Sequence, residues 1–143
     1  MSFDRLIAEH MRIEFKAKSL WARTALAEPD VAGAALALAD LSHELLEHLA
    51  HEDSFIYPRM IAAANTDMSE VATRFADEFA ALHKDWAAYL REWSSERIAA
   101  DWNDFRAATH AILARLAARV HSENALLYPA ALRNGVIPLR SAA

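Results

Sequence analysis

The run His48-Leu49-Ala50-His51-Glu52-Asp53-Ser54-Phe55-Ile56-Tyr57-Pro58 sets two polar residues, His48 and Glu52, on an apolar stripe that Leu38, Leu41 and Leu45 begin and Phe55 continues. Residues four apart stack on one face of an α-helix, so this spacing aims an imidazole and a carboxylate at one point in a helical interior. A buried carboxylate costs several kcal/mol unless a positive or hydrogen-bonding group meets it, so Glu52 demands a partner. The same design returns as Arg119-x-x-x-Glu123 followed by Tyr128-Pro129, again on an apolar stripe of Phe105, Ile112, Leu116 and Leu127. A histidine on an earlier stripe precedes each copy, His10 the first and His83 the second, at nearly equal spans. The chain therefore reads as an internal duplication.

Working outward, four segments repeat apolar residues at helical spacing, separated by turn and capping residues. The first is expected from about Phe3 to Leu26, with Leu6, His10, Ile13, Ala17 and Leu20 on its stripe, stopping near Glu28-Pro29-Asp30. The second is expected from Val31, with Asp30 as N-cap, past Pro58, which should kink or end it. The third should begin after Asn65-Thr66-Asp67, where Asp67-x-x-Glu70 resembles a capping box, and carries Phe75, Phe79, His83, Trp86, Leu90 and Trp93. Ser94-Ser95 breaks it or caps the next. The fourth should begin between Glu96 and Asp101 and end at Asn134-Gly135, a good C-cap pair. Long helices with short connections imply an all-α, antiparallel up-down four-helix bundle, with one domain over 1–135 and a loose tail over 136–143.

Composition agrees with helix and narrows the chemistry. Two glycines and four prolines in 143 residues leave few breakers. A net charge of −5 offers no excess of positive charge for a phosphate backbone or an anionic membrane, so neither nucleic acid nor membrane is expected as a partner. Cysteine is absent, which removes disulfides, zinc–thiolate sites, iron–sulfur clusters and thiol catalysis. The start, Met1-Ser2-Phe3-Asp4-Arg5, lacks the features of a signal peptide, and no apolar run is long enough to span a bilayer, so a soluble cytoplasmic protein is expected.

Three stripe histidines, His10, His48 and His83, with the two glutamates, Glu52 and Glu123, form a nitrogen/oxygen donor set suited to iron, manganese or zinc. His51 and His121 are possible substitutes. The first lies one turn after His48; the second needs a local distortion such as a π-bulge to point inward. Tyr57, Tyr89 and Tyr128 can lend a phenolate or a hydrogen bond, although a bundle tyrosine usually keeps its hydroxyl at the surface. His43, His110, Glu44 and Glu47 fall off the main stripes and read as surface residues, with Glu47 able to support its neighbour His48. The four tryptophans at helical spacing are expected to pack the core and its grooves. Ferritin-like Glu-x-x-His, HExxH and Gly-rich phosphate loops are all missing.

These residues, taken over nearly the whole chain, resemble the hemerythrin-like, or HHE cation-binding, domains. The match rests on His10, His48 with Glu52, Ile56-Tyr57-Pro58, His83, and Glu123 with Leu127-Tyr128-Pro129. The resemblance implies a four-helix bundle holding a non-heme di-iron centre, with bridging glutamates and a position for dioxygen, nitric oxide or peroxide. Arg119 departs from it, standing where the resemblance puts the last HxxxE histidine. A guanidinium stays protonated and has no lone pair to donate, so Arg119 must pair with Glu123 or turn away. A unit charge about 6 Å from a divalent ion costs roughly 5 kcal/mol at an effective dielectric of about 20. Two iron ions are implied, with one or none as the alternatives that Arg119 opens. The other functional reading is a metal-depleted or single-metal bundle serving as an interaction or sensory module.

Overall fold

A computed structural model of the protein describes residues 1–63 and 66–141. Helix α1 spans Phe3–Thr24 and α2 spans Val31–His51. A π-helical turn, Glu52–Ile56, carries α2 directly into α3, Tyr57–Ile61. Helix α4 spans Thr66–Glu92, and the short α5, Ser95–Ala100, leads into α6, Trp102–Ser122. A second π-helical turn, Glu123–Leu127, joins α6 to α7, Tyr128–Arg133. No strand occurs among the described residues, and none of their helices is long and apolar enough to cross a membrane.

Four rods result: α1, α2–α3, α4 and α6–α7. Cross-links show their directions. Along α1, Arg12 pairs with Glu44 and Lys16 with Asp40, so α2 runs antiparallel to it. His10 meets Asn124 and Thr24 meets His110, so α6 with its π turn also runs antiparallel to α1. Asp85 with Arg115 and Tyr89 with Thr109 give the same relation between α4 and α6. The expected up-down bundle is therefore the observed fold.

Local chemistry explains most boundaries. Ser2 caps α1 by accepting from the Arg5 N–H, and Asp30 caps α2 by accepting from the Gly33 N–H at 3.1 Å. Helix α1 ends two residues before the expected Leu26, because Arg106 of α6 donates to the carbonyls of Thr24 and Leu26. Ser94 caps α5 through the Arg97 N–H. The third rod begins earlier than its apparent capping box implied: Asp67 lies inside its first turn, where its charge favours the helix N-terminus. Asn65 of that expected cap lies outside the described residues. At the far end Gly135 takes φ +74°, and the Gly135 and Val136 N–H groups bond back to the Leu132 and Ala131 carbonyls, a Schellman closure.

Two expectations are corrected. Pro58 does not end the second rod; the chain widens into a π turn just before it and continues as α3. Proline lacks an N–H and its ring collides with the carbonyl four residues back, and the wider turn relieves both problems. The Tyr57 N–H bonds the Glu52 carbonyl five residues back, as the Tyr128 N–H bonds that of Glu123 before Pro129. The tail over 136–141 is not loose. The carbonyls of Pro138 and Leu139 accept from the Phe3 and Asp4 N–H groups, and Ile137 is 2% exposed. Helix α1 has unsatisfied N–H groups at its start, and the tail supplies their acceptors. Ala142 and Ala143 lie outside the described residues.

The buried apolar side chains form two clusters. One contains Ile13, Leu41, Leu45, Leu49, Trp86, Phe105 and Val120; the other contains Leu6, Ile56, Met60, Phe75, Leu127 and Ile137. On α1, α2–α3 and α6–α7 the boundary between them falls at His10, Glu52 and Glu123. A polar layer thus divides the core.

Candidate metal centre

Four of the expected donors converge in that layer. His10 comes from α1, His48 from α2, and Glu52 and Glu123 each open one of the π turns. All four are buried, and one ligand atom from each lies within 4.8 Å of the others. His10 Nε2 stands 3.3 Å from Glu123 Oε1 and 3.7 Å from Glu52 Oε1, while His48 Nε2 is in close contact with Glu52 Oε1. The two imidazole rings lie 4.7 Å apart.

The His10 imidazole is oriented from behind, and that of His48 has a carboxylate behind it. The Nδ1–H of His10 donates to Asn124 Oδ1 at 2.6 Å, an oxygen that can only accept, and this leaves Nε2 facing the layer. His48 Nδ1 faces Glu9 Oε2 at 3.6 Å. Tyrosine hydroxyls close the layer, contrary to the expectation that they reach the surface. Residues five apart lie about 140° apart on an α-helix but share nearly one face of a turn closed by i→i+5 bonds. The π turns therefore swing Tyr57 and Tyr128 inward behind Glu52 and Glu123. The Tyr57 hydroxyl donates to Glu123 Oε2 at 2.7 Å, and that of Tyr128 lies 2.9 Å from His10 Nε2 and 3.4 Å from His48 Nε2. Each tyrosine so reaches the set of the other half of the duplication.

Arg119 also faces inward, and it is 2% exposed. Its Nε donates to Glu123 Oε2 at 3.1 Å and its Nη2 to Asp53 Oδ1 at 2.9 Å, with Glu52 Oε2 at 3.8 Å. The rings of Tyr57 and Phe79 flank the guanidinium at 5.4 and 6.0 Å. Of the two fates the sequence allowed, pairing with Glu123 is the one adopted.

His83 does not join the cluster. It is 40% exposed and leans on Asp53 at 3.5 Å, the carboxylate that Arg119 also engages. His51 and His121 are exposed. Both precede their π turns, so the change of helical register that brings the tyrosines inward comes too late for them. His43 and Glu47 lie at the surface, as expected, whereas Glu44 is half-buried against Lys16 and Arg12. His110 is half-buried too: its ring stacks on Trp21 at 3.7 Å and its Nε2 meets the Thr24 hydroxyl. Tyr89 pairs with Thr109 in the larger apolar cluster. Trp86, Trp93 and Trp102 pack the core, and Trp21 lines a groove. Sequence reasoning passed over Glu9, Asp53 and Asn124. The duplication held a signal for two of them, since Asp53 follows Glu52 as Asn124 follows Glu123.

The electrostatics belong to one coupled set. Burial pushes the His10 imidazole down, but Glu123 and Glu52 prevail and raise it to about 10. His48 likewise rises to about 9 against burial, through Glu52 and Glu9. Burial works to raise Glu52, yet the close approach of Glu123, His10 and His48 holds it well below the usual carboxylate range. Burial and the charge of Glu52 push Glu123 up to about 7. Burial, then Glu123, raises Tyr57, and burial, then Glu52, raises Tyr128, so both hydroxyls keep their protons. Arg119 stays charged despite burial because Glu123 and Glu52 face it.

The donor chemistry fits a metal ion. Both oxygens of Glu52 are buried without a hydrogen-bond partner, although ring nitrogens and the guanidinium stand within ion-pair range. A cation among two imidazole nitrogens and two carboxylates answers that need. Outside the layer a cleft of about 460 Å³, lined by Asp53, Tyr57, Ile61, Phe79 and Ala80, reaches Arg119. A larger apolar groove of about 610 Å³ between α1 and α6 contains none of the donors.

Comparison with known proteins agrees with this geometry. The family model described as the hemerythrin HHE cation binding domain matches residues 1–131. No curated protein matches the chain, and no solved structure does.

Proposed function

The chain belongs to the hemerythrin HHE cation-binding family, and we propose that it is a non-heme iron protein whose centre binds or reacts with dioxygen, nitric oxide or peroxide. One observation carries this reading: His10, His48, Glu52 and Glu123, four buried donors from three rods, meet within 4.8 Å, and Glu52 has no hydrogen-bond partner for either oxygen. His10 and His48 supply Nε2, and Glu52 and Glu123 supply carboxylate oxygens. Bound there, iron would supply a redox-active Lewis acid for a small ligand. The protein's own groups do the rest. Asn124 fixes the His10 imidazole, Glu9 faces that of His48 at ion-pair distance, Tyr57 holds Glu123, and the two apolar clusters keep bulk water out. Tyr128 sets a hydroxyl among the donors. Its raised pKa keeps the proton on oxygen, so it serves to hydrogen-bond a ligand more readily than to protonate one.

The test is iron uptake followed by ligand addition. Protein loaded with ferrous iron and desalted should retain the metal, and its visible spectrum should change on adding nitric oxide or peroxide. His48→Ala should lose both properties. Retention of under a tenth of an iron per chain by the wild-type protein would sink the proposal.

One observation favours the other reading, a metal-free bundle acting as an interaction or sensory module: Arg119 already pairs with Glu123 and Asp53. On that reading iron does not raise the melting temperature. On ours, iron raises it in the wild type and not in His48→Ala.

A further inference from the structure

The half of the layer built around Glu123 does not fit a second metal ion. In the duplication Arg119-x-x-x-Glu123 occupies the place of His48-x-x-x-Glu52, and the guanidinium brings a fixed positive charge with no lone pair. It is not pushed aside. It lies among three carboxylates, 3.1 Å from Glu123, 2.9 Å from Asp53 and 3.8 Å from Glu52. His83, the other imidazole of that half, stays 40% exposed against Asp53.

The glutamates divide their oxygens between the two sides. Oε1 of Glu52 and Oε1 of Glu123 face the His10 and His48 ring nitrogens. Oε2 of both faces Arg119, and on Glu123 that oxygen also accepts from Tyr57. Two carboxylates thus reach between an imidazole-lined position on one side and an organic cation on the other. The cleft beyond ends on the cation, whose Nη1 makes no hydrogen bond among the described residues.

We infer that the Arg119 guanidinium stands in for a second cation, so that Glu52 and Glu123 bridge one metal ion, shared with His10 and His48, to an arginine. The inference rests on the reading that these four residues hold a metal. It makes the centre mononuclear, with two imidazoles and carboxylate oxygens around the ion, a donor set that suits ferrous iron with positions open to a small ligand. It also makes the second half a latent site, blocked by one side chain.

Metal counting decides the matter. Stripped protein is reloaded anaerobically with excess ferrous iron, desalted, and analysed for metal per folded chain. The wild type should hold one iron, Arg119→Lys also one, Arg119→His two, and His48→Ala close to none. After oxidation, electron paramagnetic resonance should show a high-spin ferric signal accounting for every bound iron in the wild type. In Arg119→His that signal should fall as a coupled pair forms. Two irons in the wild type, or a silent coupled pair there, would overturn the inference and leave the iron reading standing. No iron in the wild type would remove both. A folded Arg119→His that still holds one iron shows that the arginine is not what blocks the second site. If Arg119→His does not fold, wild-type stoichiometry and spin count decide alone.

Discussion

Asn124 fixes the ring of His10 through a 2.6 Å hydrogen bond to Nδ1, the nitrogen turned away from the other donors, so it separates holding a ligand from being one. Groups that orient metal-ligating histidines typically carry a factor of 10–100 in metal affinity. Asn124→Ala should therefore weaken iron binding by about 10- to 100-fold while leaving its stoichiometry unchanged, as read by competition with a chelator. A change in stoichiometry would mean that Asn124 itself carries the metal. Arg119 is the other decisive residue. Its charge and missing lone pair were plain in the sequence, but whether it turned in or out was not. That choice depended on Asp53, which lies on a different rod and is close to Arg119 only in the folded chain. His83 shows the reverse case. It lies on the expected stripe, yet a partly exposed place beside Asp53 keeps it out of the cluster.

At the scale of the element, the π turns do the positioning. Each begins at a buried glutamate of the candidate centre and ends just before a tyrosine–proline pair, so the proline's demand for a wider turn becomes the inward rotation of a hydroxyl. The Tyr-Pro pairs were legible; the π turns were not, because proline can also be met by a kink or a stop. Caps act more simply. Asp30→Ala removes the acceptor for the Gly33 N–H and should cost about 1 kcal/mol, lowering Tm by roughly 3 °C, whereas Asp30→Asn should keep most of the stability. Equal losses in both variants would show that the Arg23 ion pair matters more than the cap. The tail is an element too. Ile137→Asp puts a charge at a buried position and should free Pro138 and Leu139 from the start of α1. Amide exchange at Phe3 and Asp4 should then rise well above the wild-type rate, and an unchanged rate would show that the tail does not protect them.

For the whole molecule, the polar layer sets how stability depends on pH. The folded-state values of His10 and His48, about 10 and 9, lie above the free imidazole value of 6.5. Their contribution in the metal-free chain is thus complete below about pH 6.5 and is lost as pH rises through 9 to 10. Glu123, raised to about 7, acts in the same direction over pH 4.5 to 7, while Glu52, held low, loses its contribution only as pH falls below 4.5. Metal binding runs the other way. At the proposed centre it should displace protons from both imidazoles, so apparent affinity should rise with pH, by up to about a hundredfold per unit where two protons leave. Calorimetry between pH 6 and 9 should show Tm of the metal-free chain falling and the gain from iron growing. A gain independent of pH would rule out both imidazoles as ligands. The sequence by itself determined the all-α bundle, the duplication and the buried glutamates, because helical period and the cost of burying charge act through neighbours on one helix. Only the tertiary structure decided which imidazoles meet those glutamates, where the guanidinium lies and that the tyrosines turn inward. Those outcomes depend on how four rods are rotated against one another, and no single helix carries that information.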